Sequence, residues 1–352
     1  MSRTLKITVM YDSLEDRVQA ERKAQGEKCA PLVCELLEGA LREAGHTVTR
    51  LSVANTRAAV AGLADDDSDL VFNVCESFNG RDASEHHAAA LLEMCGKRFT
   101  GAGSIGLMLA GDKALSKKLL RFHGISTPRF SVMDAGAADH IDDLSFPMFV
   151  KPSNADASIG IDHRSVVHNV KELMERISYI KTEFQSPALI EEYVEGREIY
   201  VGVLGGEKPQ ALPLVEWDFS RLPDGTPRIA SAEAKWDTES SRYKDAPEVV
   251  VKDLPPHVVK ALQNAAVEAF RALKLRDYGR VDMRVRRRRP EVEQAGERPS
   301  LIDEWEFYVI EVNPNAHLAL DSELPMAAQA HGLPYRALIE RIVDGAMARA
   351  LD

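Results

Sequence analysis

Tyr278-Gly-Arg-Val-Asp-Met-Arg-Val285 and Phe307-Tyr-Val-Ile-Glu-Val-Asn313 are the two stretches on which the fold turns. Both alternate apolar and polar side chains with a period of two, the pattern of strands with one buried face. In the first, Arg280 and Asp282 share one face while Val281, Met283 and Val285 share the other. In the second, Glu311 and Asn313 lie opposite Ile310 and Val312. Paired antiparallel, the strands bring four polar groups to one spot. Carboxylate and amide oxygens suit a hard cation such as Mg²⁺, which proteins usually hold with a few such ligands plus substrate phosphates. Two readings follow: a metal and nucleotide site on Asp282, Glu311 and Asn313, or a cross-strand Arg280–Glu311 ion pair on a solvated sheet face.

Working outward, residues before 103 alternate strand and helix patterns. Strand-like 5–11 precedes a helix whose apolar Leu32, Val33, Leu36, Leu37, Ala40 and Leu41 recur at helical spacing up to Gly45. Strand-like 46–53 and 69–76 come next, then a helix over 84–95 stopped by Gly96. This rhythm implies a small parallel sheet faced by helices. A second unit is expected from a helix over 104–124, strands 129–133 and 146–151, a helix over 169–184, and strands 188–194 and 198–204 that close it. The hairpin signal Gly205-Gly206 opens a third, with a polar stretch at 221–248, a helix over 256–275, the two decisive strands, and a last helix over 333–351 with Pro334 in its first turn. The expected division is therefore 1–103, 104–204 and 205–352.

Composition narrows the partners. At 352 residues, 45% hydrophobic and 28% charged, the chain is long enough for two or three cores. Without an apolar run of membrane length or a signal-like N-terminus it is expected to be soluble and cytoplasmic. Cys29, Cys34, Cys75 and Cys95 show no C-x-x-C spacing, so they read as reduced, mostly core thiols. A net charge of -11 repels phosphate backbones and anionic lipids, which favours small-molecule substrates over nucleic acid or membrane. The run Arg286 to Arg289 is offset by Glu291, Glu293 and Glu297 and reads as a solvated hairpin.

Read together, Gly111-Asp-Lys113, Val150-Lys-Pro152, Leu189-Ile-Glu-Glu-Tyr-Val194, Gly279-Arg-Val-Asp282 and Ile310-Glu-Val-Asn-Pro314 resemble the ordered landmarks of the ATP-grasp superfamily. The segment Leu91-Leu-Glu-Met-Cys-Gly-Lys-Arg-Phe-Thr-Gly-Ala-Gly103 is similar to the D-alanine:D-alanine ligases in particular. The resemblance implies an α/β (α+β) ATP-grasp fold with an N-terminal Rossmann-like pre-ATP-grasp domain. It also implies an ATP-dependent ligase that joins a carboxylate to an amine on amino acids or small peptides, through an acyl phosphate. Its cofactors would be ATP and two Mg²⁺ ions, with Mn²⁺ as a substitute, and a homodimer is compatible with it. By the same resemblance Lys113 and Lys151 contact ATP, Ser158 lies in the small-residue loop over the phosphates, and Glu191 with the backbone of Glu192 and Val194 holds adenine. Glu198 takes the ribose, Lys235 reaches the γ-phosphate from a mobile loop, Arg280 stabilises the transferred phosphoryl group and the oxyanion, and Asp282, Glu311 and Asn313 bind the metal.

The pattern also breaks. The family's glycine-rich first loop is here Tyr11-Asp-Ser-Leu-Glu-Asp16, without glycine, and Glu15 is the nearest candidate for holding the first amino group. Ala157 and Trp236 stand where the family has a serine and a tyrosine, so the usual hydrogen-bonded set cannot form. Ser322 aligns with a residue that binds the second substrate's carboxylate, His317 lines the same loop, and Glu323 replaces a leucine, as a cue to a cationic acceptor or as a surface substitution. An altered amino-acid pocket is the expectation. A cell-wall D-alanine:D-alanine ligase and a nucleotide-binding regulatory protein without catalysis are the alternatives.

Overall fold

The structure is a computed structural model that describes residues 4–13, 16, 19–20, 31–134, 137–155, 158–222, 228–230, 246–288 and 300–350. Three sheets organise the described residues. β1 (Lys6–Asp12) lies between β2 (Thr47–Val53) and β3 (Leu70–Val74), all parallel. Six consecutive residues of β1 are buried, as expected of a central parallel strand covered on both faces. Helix α1 (Val33–Glu43) packs Cys34, Leu37 and Leu41 inward and ends where Gly45 takes a φ of +93°. α2 (Thr56–Ala64) and α3 (Glu85–Met94) complete this part.

The helix expected over 104–124 is two: α4 (Ser104–Gly111) and α5 (Lys113–Phe122). Between them Asp112 is extended, and its carboxylate accepts hydrogen bonds from the Ala114 and Leu115 N–H groups, both at 3.0 Å. An aspartate satisfies the open N–H groups of a helix start better than it serves a helix interior. The break sets Lys113 at the first residue of α5, with its N–H on the Ser153 carbonyl.

The second sheet runs β5-β4-β8-β6-β7, from β4 (Phe130–Asp134), β5 (Ala137–His140), β6 (Met148–Pro152), β7 (Val166–Val167) and β8 (Ala188–Glu192), every pair antiparallel. α6 (Val170–Phe184), capped by the Asn169 side chain, covers it.

The third sheet is six-stranded and antiparallel, in the order β11-β10-β9-β12-β14-β13. Its members are β9 (Arg197–Leu204), β10 (Gln210–Trp217), β11 (Glu248–Val250), β12 (Tyr278–Arg287), β13 (Ser300–Ile302) and β14 (Trp305–Pro314). The strand read from sequence as closing the second unit, β9, instead sits inside this sheet between β10 and β12. Its register with β12 matches Val201 to Val281 and Ile199 to Met283, apolar against apolar, which decides its partner. Gly205 begins the β9–β10 turn where a Cβ would lie 2.5 Å from the Asp277 backbone nitrogen, so only glycine fits that approach. α7 (Pro256–Ala272) buries Val258, Leu262, Ala266 and Phe270 in the same cluster as Val281, Met283 and Val285. α8 (Glu323–Ala330) and α9 (Tyr335–Ala348) join the cluster that holds the N-terminal sheet.

Candidate active site

The alternation read from sequence holds in β12 and β14. Arg280 faces Asn313 and Asp282 faces Glu311 across the antiparallel pair, while Val281 faces Val312 on the buried side. One residue departs. The register slips between Asp282 and Met283, because Met283 pairs with Val309 and Ile310 is left as the extra residue of a bulge. Ile310, expected on the apolar face with Val312, therefore lines the cleft beside Glu311.

Arg280 is the centre of the polar face. Its Nε and Nη2 donate to Asp282 Oδ1 and Oδ2 at 2.7 and 3.0 Å, Nη1 donates to Glu323 Oε2 at 2.9 Å, and the guanidinium carbon stands 4.8 Å from the centre of the Tyr200 ring. Burial works against its charge, but the two carboxylates outweigh burial and hold it firmly protonated. The cross-strand ion pair weighed against a metal site is thus replaced: Arg280 pairs with Asp282 and Glu323, and Glu311 pairs with Lys113 at 2.9 Å. Asn313 Nδ2 donates to Asp282 Oδ2 at 3.0 Å. Among the described residues no three His, Cys, Asp or Glu side chains converge into a cage for an ion. Two carboxylates and one amide remain together, a hard-oxygen set of the sort that holds Mg²⁺ only jointly with phosphate oxygens.

Across the cleft, Glu191 is sandwiched between two lysines. Lys117 Nζ lies 2.5 Å from Oε1 and Lys151 Nζ 2.9 Å from Oε2, with all three side chains nearly sealed from solvent. Burial raises the carboxyl, and the two ammonium groups overcome that and bring it below the ordinary range. Burial pulls Lys117 down to about 8 in spite of Glu191. Lys113 Nζ also donates to the Ala155 carbonyl at 2.6 Å, tying α5 to the small-residue loop. In that loop Ser158 takes a φ of +61°, and its hydroxyl donates to the Ala230 carbonyl at 2.9 Å.

Glu198 accepts from the Tyr200 hydroxyl at 2.8 Å and from Arg284 Nη2 at 2.6 Å. The Glu192 N–H donates to the Arg129 carbonyl within the second sheet, so a backbone contact from Glu192 to adenine would use its carbonyl. Lys151, Ser158, Glu191, Glu192, Val194 and Glu198 line one cleft of about 620 Å³, counting space open to solvent, which shares Asp282 and Glu311 with an adjoining recess holding Lys113, Arg280 and Asn313. The expected nucleotide and metal residues are therefore brought together.

The expected amino-acid residues are not all gathered there. Ser322 donates its hydroxyl to the His317 and Ala319 carbonyls, at 2.8 and 2.7 Å. His317 Nε2 lies 3.9 Å from Glu76, in a separate recess lined by Glu76, Glu85 and Tyr278. Glu323 is buried against Arg280, so it is neither a surface substitution nor an open anion awaiting a cationic acceptor. Glu15, Ala157, Lys235 and Trp236 lie outside the described residues, as do 231–245. Two residues were missed in the sequence. Lys117 stands four positions after Lys113 on one helix, and Arg284 continues the Arg280, Asp282 alternation, so both spacings were visible.

The fold and site define an enzyme of the ATP-grasp class. Residues 119–294 match the family model described as the D-ala D-ala ligase C-terminus. The chain is 32% identical to a D-alanine–D-alanine ligase of Marinomonas sp. over 98% of both chains. It is 34% identical to the uncharacterized protein y4sG of Sinorhizobium fredii over 80% of this chain and 76% of that one. It superposes with a TM-score of 0.68, at 22% identity and 98% coverage of each chain, on the crystal structure of a D-alanine–D-alanine ligase from Bacillus anthracis complexed with ATP. The chain belongs to the D-alanine–D-alanine ligase family, and it is an ATP-dependent ligase that forms a C–N bond on small-molecule substrates. No described helix is long and apolar enough to cross a membrane.

Proposed function

We propose that this enzyme phosphorylates the carboxylate of an amino acid or small peptide with ATP and couples the acyl phosphate to the amine of a second, with a substrate pocket altered from that of D-alanine ligation. The observation that carries this reading is the convergence of Lys113 with Glu311, Arg280 with Asp282, and Lys151 with Glu191 on one cleft and its adjoining recess. Asp282, Glu311 and Asn313 fit Mg²⁺, which would offset phosphate charge when bound. Lys113 and Lys151 contact ATP, Lys151 reaching toward the phosphates, Ser158 lies in the loop that closes over them, and Lys235 reaches the γ-phosphate. Glu191, the carbonyl of Glu192 and the backbone of Val194 hold adenine, and Glu198 holds ribose.

A carboxylate oxygen bonds to the γ-phosphorus as the bond to ADP breaks. The amine then adds to the acyl carbon, inorganic phosphate leaves, and the amine's proton passes to solvent. Arg280 faces the negative charge that develops in both steps. A free α-amino group has a pKa of about 8, so a small downward shift beside these cations makes it a nucleophile without a dedicated base. Cytoplasmic location, where ATP and amino acids meet, and a homodimer are compatible with this reading, and the net charge of -11 disfavours nucleic acid and membrane partners.

The test is ADP release with Mg²⁺ over paired D- and L-amino acids and dipeptides. Turnover requiring both an acid and an amine, and lost in Glu311→Gln, is expected. Wild-type-like release in Glu311→Gln overturns the reading, and nucleotide binding without turnover on any pair favours the regulatory alternative.

A further inference from the structure

The Arg280 guanidinium is flanked by two carboxylates, Asp282 and Glu323. Side-chain exposure is 11% for Arg280, 7% for Asp282 and 9% for Glu323, so the three charges share a nearly dry site. In such surroundings each charge needs a partner, and one cation between two anions leaves negative charge to be offset. Glu323 is held firmly. It is the first residue of α8, where the helix dipole favours a carboxylate, and the preceding Ser322 hydroxyl is fixed on the His317 and Ala319 carbonyls.

Asp282 has competing duties. It accepts from Arg280 Nε and Nη2 and from Asn313 Nδ2, so both of its oxygens are already engaged. Service to a metal-bound nucleotide must loosen its hold on Arg280. Without another anion from the protein, Arg280 would then have only the incoming phosphates to offset its buried charge.

We propose that Glu323 is a positioning residue, the second anion that keeps the Arg280 guanidinium aimed into the cleft while Asp282 turns to the metal. This rests on the reading of Asp282, Glu311 and Asn313 as metal ligands. Glu323 touches neither nucleotide nor metal, and it acts by making the release of Asp282 from Arg280 tolerable. Its removal therefore leaves Asp282 bound more tightly to Arg280, and the metal-dependent part of nucleotide affinity falls.

The experiment measures ADP binding by calorimetry to wild type, Glu323→Gln and Glu323→Leu, each in EDTA and each with saturating Mn²⁺, alongside kcat and KM on the best substrate pair. The gain in ADP affinity from Mn²⁺ should shrink about tenfold or more in Glu323→Gln, the scale of one charged hydrogen bond, while ADP affinity in EDTA stays within about twofold. kcat should fall with it, and KM for the amine should change little. A Mn²⁺-dependent gain within twofold of wild type in both variants overturns the proposal and makes Glu323 a packing residue. Glu323→Leu, with an apolar side chain beside Leu324, keeps the test decisive if the Gln variant misfolds. Loss of the gain in the variants without wild-type turnover on any pair supports the role of Glu323 while sinking the ligase reading. Absence of the gain in wild type sinks the metal assignment and this proposal together.

Discussion

Lys117 and Glu191 form an ion pair with Nζ 2.5 Å from Oε1, behind the cleft wall to which Glu191 contributes. The same carboxylate takes Lys151 on its other oxygen, and Thr127 accepts a 2.7 Å hydrogen bond from Lys117. If Lys151 turns to phosphate when nucleotide binds, Lys117 alone keeps Glu191 charged and in place. Lys117→Met should therefore weaken ADP binding by about tenfold to a hundredfold, the scale of a charged hydrogen bond. Calorimetry checks it, and an unchanged dissociation constant would remove Lys117 from the nucleotide site.

The pair also sets a pH dependence. Lys117 falls from its usual 10.5 to about 8 because it is buried, against the pull of Glu191. The unfolded chain thus holds more protons at this site than the folded one between those values, and stability from this site rises with pH across that window. Below about pH 8 both states are protonated and the burial penalty is constant. Denaturant unfolding at pH 8 and pH 10 should show the wild type gaining on Lys117→Met as pH rises. A difference that stays flat, or reverses, would count against the lowered value.

Arg284 supports the site from the same sheet face. It is buried, it donates to Glu198 Oε2 at 2.6 Å and to the Gly196 carbonyl at 3.0 Å, and its loss would leave Glu198 with the Tyr200 hydroxyl. Arg284→Met should cost about 3–5 kcal/mol of stability, the usual result of stranding one half of a buried ion pair. Urea unfolding measures it, and a loss under about 1 kcal/mol would mean that Glu198 finds water or another partner.

What the residue order revealed and what it concealed divide on a physical line. The Arg280, Asp282, Glu311 and Asn313 face was legible because strand alternation depends only on the pleat, and the pairing needed only that two apolar faces meet. Helix α6 was legible from Asn169 and its apolar spacing. The bulge at Ile310 was not, since nothing local marks an extra residue between two otherwise regular strands. The Arg280–Glu323 pair joins residues 43 apart through a loop, beyond any periodicity. Placing β9 required knowing which of two sheets offers the apolar register, a tertiary matter. The break at Asp112 was readable, because Gly-Asp followed by helix formers is a stop and a cap.

Asp282→Asn, Glu311→Gln and Arg280→Ala should each lower kcat by about a hundredfold or more, since each removes a full charge where phosphoryl and oxyanion charge develop. The fold should persist, because the apolar faces of β12 and β14 are untouched. Arg280→Ala should be the least stable of the three, because it leaves Asp282 and Glu323 facing each other unneutralised in a buried site. Steady-state kinetics with circular dichroism separates the effects. A kcat within tenfold of wild type in any of the three would remove that residue from the chemistry.

D-alanine should not be the preferred substrate on both sides of the bond. Ala157 and Trp236 stand where the resemblance implies a serine and a tyrosine joined in a hydrogen-bonded set with the glutamate that holds the first amino group, and the first loop, 11–16, has no glycine. An ammonium group denied a charged hydrogen bond loses about 1.5–3 kcal/mol, roughly ten- to more than a hundredfold in specificity. On the proposed acceptor side the Ser322 hydroxyl already serves two backbone carbonyls and Glu323 faces Arg280, so recognition there is expected to change as well. A larger skeleton or a differently placed amine should therefore outcompete D-alanine, helped by the indole face that Trp236 can offer to a cation. ATP-dependent product formation is compared for D-alanine alone and for a panel of amino acids and dipeptides. If D-alanine alone has the highest kcat/KM and gives D-alanyl-D-alanine, the altered pocket is refuted and the enzyme belongs to cell-wall synthesis.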